Sequence, residues 1–232
     1  MDNINFDIGV FYRFRINEDI EILITETVIN TWIVMGLLFI LAIIVRIKVS
    51  KWDPMNRPSG LQNVIEYAIE MWEGLFYGSS SPKVSYLVPW FFTLIAFLLI
   101  ANIIGIVGLR PPTADWGMTF PLALSSFFLI QFAGVRHRPK AYLRGIFLEP
   151  VFIFAPLNII GELARPVSMS FRIFGNVLGG MILMSLLYAM TGWLAIGLPA
   201  FLHMYFDLFA GVLQAIIFTM LSITFVGIAA EG

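Results

Sequence analysis

Five stretches of this 232-residue chain are long, apolar and almost free of charge, and that feature leaves few folds open. About 20 consecutive apolar residues, rising 1.5 Å each, cross the roughly 30 Å hydrocarbon core of a bilayer. Without water to bond to, a backbone in lipid must satisfy its own hydrogen bonds, so such stretches become helices. The composition agrees: 59% of the residues are hydrophobic and 12% charged, where a soluble domain has about 45–50% and about 25%. The 14 Lys and Arg residues do not outnumber the 15 Asp and Glu, so there is no basic excess for a nucleic-acid partner. Cysteine is absent and only two His occur, which excludes disulfides and thiolate chemistry and leaves little for a metal site. With no Gly-rich phosphate loop and no credible Ser/His/Asp set, the chain is expected neither to be an enzyme by itself nor to hold a cofactor. The expected fold is an all-α polytopic membrane protein. It has four to five membrane-crossing helices, one interfacial amphipathic helix and a long, tilted helical hairpin at its end, in a single membrane domain over 1–232.

The charges between the blocks orient them. An external N-terminal segment, 1–26, precedes the first span at 27–45, and Arg46, Lys48, Lys51 and Arg57 follow that span. Acidic residues stand before it where a signal peptide has its positive region, so it is expected to be retained. Cytoplasmic loops carry the excess of Lys and Arg, which puts the N-terminus outside. Residues 60–77 carry Glu66, Glu70 and Glu73 at helical spacing with apolar residues between them. That pattern is too charged to span and suits an amphipathic helix at the interface, or a short connector with a solvated acidic face. A second pair of spans, 84–109 and 116–135, encloses the turn sequence RPPTAD. It is followed by Arg136, Arg138, Lys140 and Arg144, a second basic loop on the same cytoplasmic side. Residues 150–190 and 193–229 are each about twice the hydrocarbon thickness if helical. They are expected to pack as one tilted hairpin, with a tight turn at 191–192, or to break at Pro156, Pro166 and Pro199. The C-terminus then returns to the cytoplasm.

A few charges interrupt these last blocks. A charge at the centre of a membrane helix costs about 2.5–3.5 kcal/mol on insertion scales and usually faces a bundle interior or an aqueous path. Arg165, Ser168, Arg172 and Asn176 step by three or four residues and form one polar stripe. His203, Asp207, Gly211 and Gln214 form a matching stripe on the next block. In a hairpin turning at 191–192, Arg172 lies opposite residue 211, near Asp207 and Gln214. The plain reading is an Arg172–Asp207 ion pair that neutralises both. The functional reading is a permanent cation beside a proton-exchanging carboxylate, since arginine stays protonated. Glu162 lines an aqueous route or pairs with Arg165, and His203 lines a path or is a satisfied histidine at the outer end.

The run ELARPVSMSFRIFGNVLGG at 162–180, with LQAIIFTMLSITFVGIA at 213–229, closely resembles subunit a of the membrane Fo sector of F-type ATP synthases. Agreement extends through TETVINTWIVM, GLQNVIEYAIE, NIIG, RPPTADWGMT and YLRG, and so over nearly the whole chain. The resemblance implies a stator subunit in a bacterial plasma membrane, partnered by a c-subunit ring, the b subunits of the peripheral stalk and lipid. It implies that the arginine of RxFGN, here Arg172, faces the ring and separates two offset half-channels for a proton or a sodium ion. Asn176 and Gln214 match its polar neighbours. Glu162 then belongs to the cytoplasmic half-channel, and Asp207 and His203 to the outer one. Two positions depart from the family pattern. Met181 stands where many members have an acid soon after FGN, and Asp207 stands where others have histidine seven residues before the glutamine. A carboxylate moved from one helix to its neighbour keeps a proton-exchange group in the same cavity. The rival reading, a secondary transporter or permease subunit, calls for an internal repeat. Residues 1–80 and 150–232 differ in span length and charge placement and supply none. A purely structural scaffold would tolerate loss of Arg172 and Asp207 together.

Overall fold

A computed structural model of the chain describes residues 9–17, 20–52, 59–147, 152–191 and 198–231. Strand β1 (Val10–Asn17) and strand β2 (Ile20–Thr25) form an antiparallel hairpin with Val10 opposite Thr25 and Asn17 opposite Ile20. Among the described residues eight α-helices follow: α1 (Glu26–Val49), α2 (Gly60–Ser79), α3 (Val88–Ile103), α4 (Trp116–His137), α5 (Pro139–Phe147), α6 (Ala155–Thr191), α7 (Leu198–His203) and α8 (Gly211–Glu231). Short 3-10 turns extend α3 at both ends, and a π-helical segment, Met204–Ala210, joins α7 to α8. Among the described residues five helical stretches are long and apolar enough to cross a membrane. They are Glu26–Val49, Pro82–Val107, Trp116–His137, Ala155–Met190 and Phe201–Glu231. The fold is all-α and polytopic apart from this β-hairpin, which lies in the N-terminal segment before the first span.

The prolines of the last two blocks do not break them. Pro156 and Pro199 are the second residues of α6 and α7, where a backbone N–H has no intrahelical partner to lose. Pro166 lies inside α6, which nevertheless runs unbroken for 37 residues. The expected turn at 191–192 falls partly outside the described residues. After α3, Gly108 takes a φ of 81°, a left-handed conformation that favours glycine and turns the chain towards Pro111 and Pro112.

The chain forms two compact units, and the long helices contribute residues to both. The first comprises Met1–Met35, Phe97–Leu124 and Pro166–Phe218. Its part of α1 buries Thr27, Asn30 and Val34, one stripe at three- and four-residue spacing, and leaves Trp32 exposed. Asn30 donates to the carbonyl of Arg110 at 2.9 Å, so a buried amide is hydrogen-bonded rather than stranded. In the second unit (Gly36–Ala96, Ser125–Arg165 and Thr219–Gly232) α2 begins on a Ser59 cap, whose side chain accepts from the Gln62 N–H. Its buried face is Trp72 and Phe76, one turn apart. Phe76 meets Phe91 of α3 at 6.0 Å between ring centroids, and the Trp72 ring meets Phe92 edge-on. Glu66, Glu70 and Glu73 remain on the exposed side.

Helix α8 approaches the end of α2 through a glycine. A Cβ added at Gly227 would lie 3.1 Å from the Ser80 Cα and 3.3 Å from the Ser79 carbonyl oxygen, both backbone atoms. At Gly36 an added Cβ meets nothing within 4 Å. Gly227→Ala is therefore expected to destabilise the detergent-solubilised chain by roughly 1–3 kcal/mol through overpacking. Gly36→Ala is expected to be neutral or slightly stabilising. Thermal unfolding of the two variants checks the contrast.

Candidate functional site

Two polar clusters lie along the apolar helices, one in each unit. In the first unit α6 carries the Arg172 stripe. Arg172 is exposed on the chain and makes no hydrogen bond or ion pair with any other described residue. Ser168, one turn before it, is also exposed, whereas Met169 and Ile173 on the adjoining flank of the helix are buried. One turn after Arg172, Asn176 donates to Gln214 Oε1 of α8 at 2.7 Å. Gln214 is only 3% exposed, and its Nε2 has no hydrogen-bond partner among the described residues. The Trp116 indole N–H donates to Ser170 at 3.2 Å, and its ring stacks on Phe171, holding α4 against this part of α6.

Asp207 does not pair with Arg172. Its carboxylate lies 2.6 Å from Nδ1 of His203, one turn back on the same helical run. The expected register placed Arg172 opposite residue 211, but the pairing of Asn176 with Gln214 is centred about residue 195. Helix α6 ends at Thr191 and α7 begins at Leu198, which moves the centre of the hairpin beyond 191–192. Gly180 correspondingly faces Phe206. Asp207 is thus level with the region of Gly180, about two turns of α6 from Arg172.

Asp207 sits in the π-helical segment, whose wider turn is frequent at functional sites. It packs against Gly105 in the 3-10 turn after α3, where an added Cβ would lie 3.4 Å from its Cγ, an ordinary contact. Gly211 allows a similar approach to Asn102, whose Cβ would lie 3.0 Å from an added methyl. Asn102 donates to the Gly211 carbonyl at 2.9 Å and accepts from Thr113 at 2.6 Å. A small pocket with about 10 Å³ of space for water centres touches Asn102, Asn176, Gly180 and Asp207, which is room for about one water. The pocket thus lies between two hydrogen-bonded pairs, His203 with Asp207 and Asn176 with Gln214.

In the second unit Glu162 of α6 accepts from Arg165 at 2.9 Å and from Gln131 Nε2 of α4 at 3.2 Å. Glu162 is paired with Arg165, and it also lines an open cavity of about 1070 Å³ with Arg138, Tyr142, Asn158 and Phe225. The Arg165 guanidinium lies 5.2 Å from the Phe225 ring centroid, a cation–π contact that orients it. Tyr142 donates to Gln131 Oε1 at 3.0 Å. Burial, and then the Glu162 carboxylate, push the Tyr142 phenol up to about 12. Gln131 and Tyr142 were not singled out in the sequence. Gln131 is a lone amide within a charge-free span, and Tyr142 lies in the YLRG run; neither has a partner that spacing could reveal.

Polar groups threaded along apolar helices, with a cation that has no partner among the described residues and two pockets beside carboxylates, define the class: a polytopic membrane protein built to pass ions. A family model described as ATP synthase A chain matches residues 28–227. ATP synthase subunit a of Moorella thermoacetica is 34% identical over 211 residues, covering 90% of this chain and 92% of the relative. ATP synthase subunit a 2 of a Bradyrhizobium species is 32% identical, covering 89% of each. The sodium ion specific ATP synthase subunit a of Propionigenium modestum is 33% identical, covering 88% of this chain and 73% of the relative. The chain belongs to the ATP synthase A chain family. It is a non-catalytic stator and ion-translocating subunit of the F-type ATP synthase, multi-pass in the plasma membrane, and family membership carries association with the c-subunit ring and b subunits.

A raised phenol pKa favours the neutral form. Its contribution to local stability is full below the ordinary tyrosine value near 10 and is lost as pH rises towards 12. An alkaline difference titration of the wild-type chain against Tyr142→Phe is expected to show a tyrosinate step near pH 12. The same difference taken in Glu162→Gln is expected to show that step at lower pH, because a charge that raises it is gone.

Proposed function

We propose that Arg172 faces the c ring and separates two half-channels, one reached through the Asp207 pocket and the other through the Glu162 cavity. The observation that carries this reading is the contrast on α6. Arg165 has Glu162 and Asn176 has Gln214, while Arg172 between them points out of the chain without a partner among the described residues. A lone guanidinium facing lipid would be costly. A ring of carboxylates passing that face would supply the missing counter-charge. An opposite charge nearby favours a carboxylate as the anion, so each arriving carboxylate gives up its ion beside Arg172 and takes another from the second half-channel. The electrical component of the driving force is about 2.3 kcal/mol per charge at 100 mV.

Asp207, with His203, serves the outer half-channel in this reading. Its level beside Gly180, next to Met181, supports the idea that this carboxylate stands in for the acid that many members carry on α6. Asn176 and Gln214 keep a neutral polar surface between the pocket and Arg172, and Ser168 extends the stripe on the other side. Glu162 and its cavity form the cytoplasmic half-channel, for a proton or a sodium ion. The basic residues after α1 and α4 support a cytoplasmic position for both of those helix ends. With five spans the N-terminus is then outside and the C-terminus inside.

ATP-driven ion pumping by the assembled complex in vesicles tests the assignment. Arg172→Ala is expected to lower coupled pumping by roughly 10- to 1000-fold, the equivalent of about 1–3 units of carboxylate pKa, while passive ion leak rises. Asp207→Asn is expected to slow pumping without raising the leak. Full coupled pumping in Arg172→Ala would remove the reading.

A further inference from the structure

The cavity cluster in the second unit contains a chain of directed hydrogen bonds that the ion-path reading does not use. The Tyr142 hydroxyl donates to Gln131 Oε1, and Gln131 Nε2 donates to Glu162 Oε2. The amide of Gln131 is thereby oriented: its oxygen is occupied by Tyr142, so its N–H points at the carboxylate. Arg165 Nη1 reaches both oxygens of Glu162, at 2.9 Å and 3.0 Å. With Arg165 alone, the carboxylate would be free to follow that guanidinium, which is part-exposed and held against Phe225. Gln131 ties it instead to α4.

The third member is fixed by a missing side chain. A Cβ on Gly134 would lie 2.6 Å from three atoms of the Tyr142 ring, so the ring occupies the space that any other residue at 134 would fill. Helix α5 begins two residues after α4 ends, and this glycine lets it fold back so that Tyr142 reaches Gln131. The charged or titratable groups at this site are Glu162 and Arg165 on α6, Arg138 between α4 and α5, and Tyr142 itself; α8 contributes the neutral Phe225.

We propose that Tyr142, acting through Gln131 and seated on Gly134, is a positioning residue that holds the Glu162 carboxylate at the wall of the cavity and sets how fast ions pass there. The inference rests on the reading that Glu162 lines an ion route. Neither Tyr142 nor Gln131 exchanges the ion. Their role is to keep one carboxylate rotamer populated.

The test uses the assembled complex in vesicles with ATP-driven pumping, for Tyr142→Phe, Gln131→Leu, Glu162→Gln and the double variant Tyr142→Phe/Glu162→Gln. Tyr142→Phe keeps the ring and removes only the hydroxyl. It is expected to assemble normally, to pump about threefold to tenfold more slowly, the size of one neutral hydrogen bond, and to displace the pH profile of pumping by about half a unit or more. Gln131→Leu is expected to reproduce both changes. In the Glu162→Gln background Tyr142→Phe is expected to change neither rate nor profile. Wild-type rate and profile in Tyr142→Phe beside a slow Glu162→Gln overturns the positioning role alone. So does a Tyr142→Phe loss that is undiminished in the Glu162→Gln background, or one explained by lost assembly. Wild-type pumping in Glu162→Gln removes the ion route through Glu162, and this inference with it.

Discussion

A polar group carried into hydrocarbon must find its partner within the protein or within the complex, and the arrangement of this chain follows from that demand. Unsatisfied polar groups in such surroundings cost several kcal/mol each. Asn30 is met by a carbonyl of the turn after α3, Asn102 by the α8 backbone and Thr113, and Trp116 by Ser170. Each bond ties one helix to another segment, so the polar residues act as clips between otherwise interchangeable apolar surfaces. Arg172 stands apart because nothing described in the chain meets it. In the proposed reading its partner is a carboxylate of the c ring.

Room for these contacts comes from small residues and from one irregular turn. Gly211 admits the side chain of Asn102 where a methyl group would crowd it, and Gly134 does the same more severely for Tyr142. The π-helical segment sits where Asp207 reaches the pocket. The two polar clusters differ in a way that suits different tasks. The pocket beside Asp207 has space for about one water, whereas the cavity beside Glu162 is about 1070 Å³ and wide open. In the proposed reading the narrow pocket would restrict what reaches the arginine stripe, and the wide cavity would let ions equilibrate with solvent as far as the Glu162 carboxylate.

The helices were legible because the bilayer imposes a length and a polarity that charge gaps report directly. Arg172 and Glu162 were legible as candidates for the same reason: a charge in an apolar block is conspicuous. Partners were harder. The tie of Asp207 to His203 rather than Arg172 depends on where the hairpin is centred and on the π turn, and neither leaves a mark in residue spacing. Gln131 and Tyr142 are common residue types whose meeting depends on Gly134, less than one turn after Gln131 and in contact with the Tyr142 ring. The β-hairpin had a visible sign in the alternation of Tyr12, Phe14 and Ile16 with Arg13 and Arg15, but strand-like alternation over so short a stretch is weak beside a membrane span.

The central claim is that the Arg172 face of α6 meets the c ring, and the absence of native cysteine makes it directly measurable by disulfide trapping in native membranes. Cysteines introduced singly at Ser168 and Asn176, paired with a cysteine placed one turn from the c-subunit carboxylate, are expected to cross-link on mild oxidation. A cysteine at Ile173, which is fully buried, is expected not to. Cross-linking from Ile173 with none from Ser168 or Asn176 would contradict the orientation of α6 and, with it, the role assigned to Arg172.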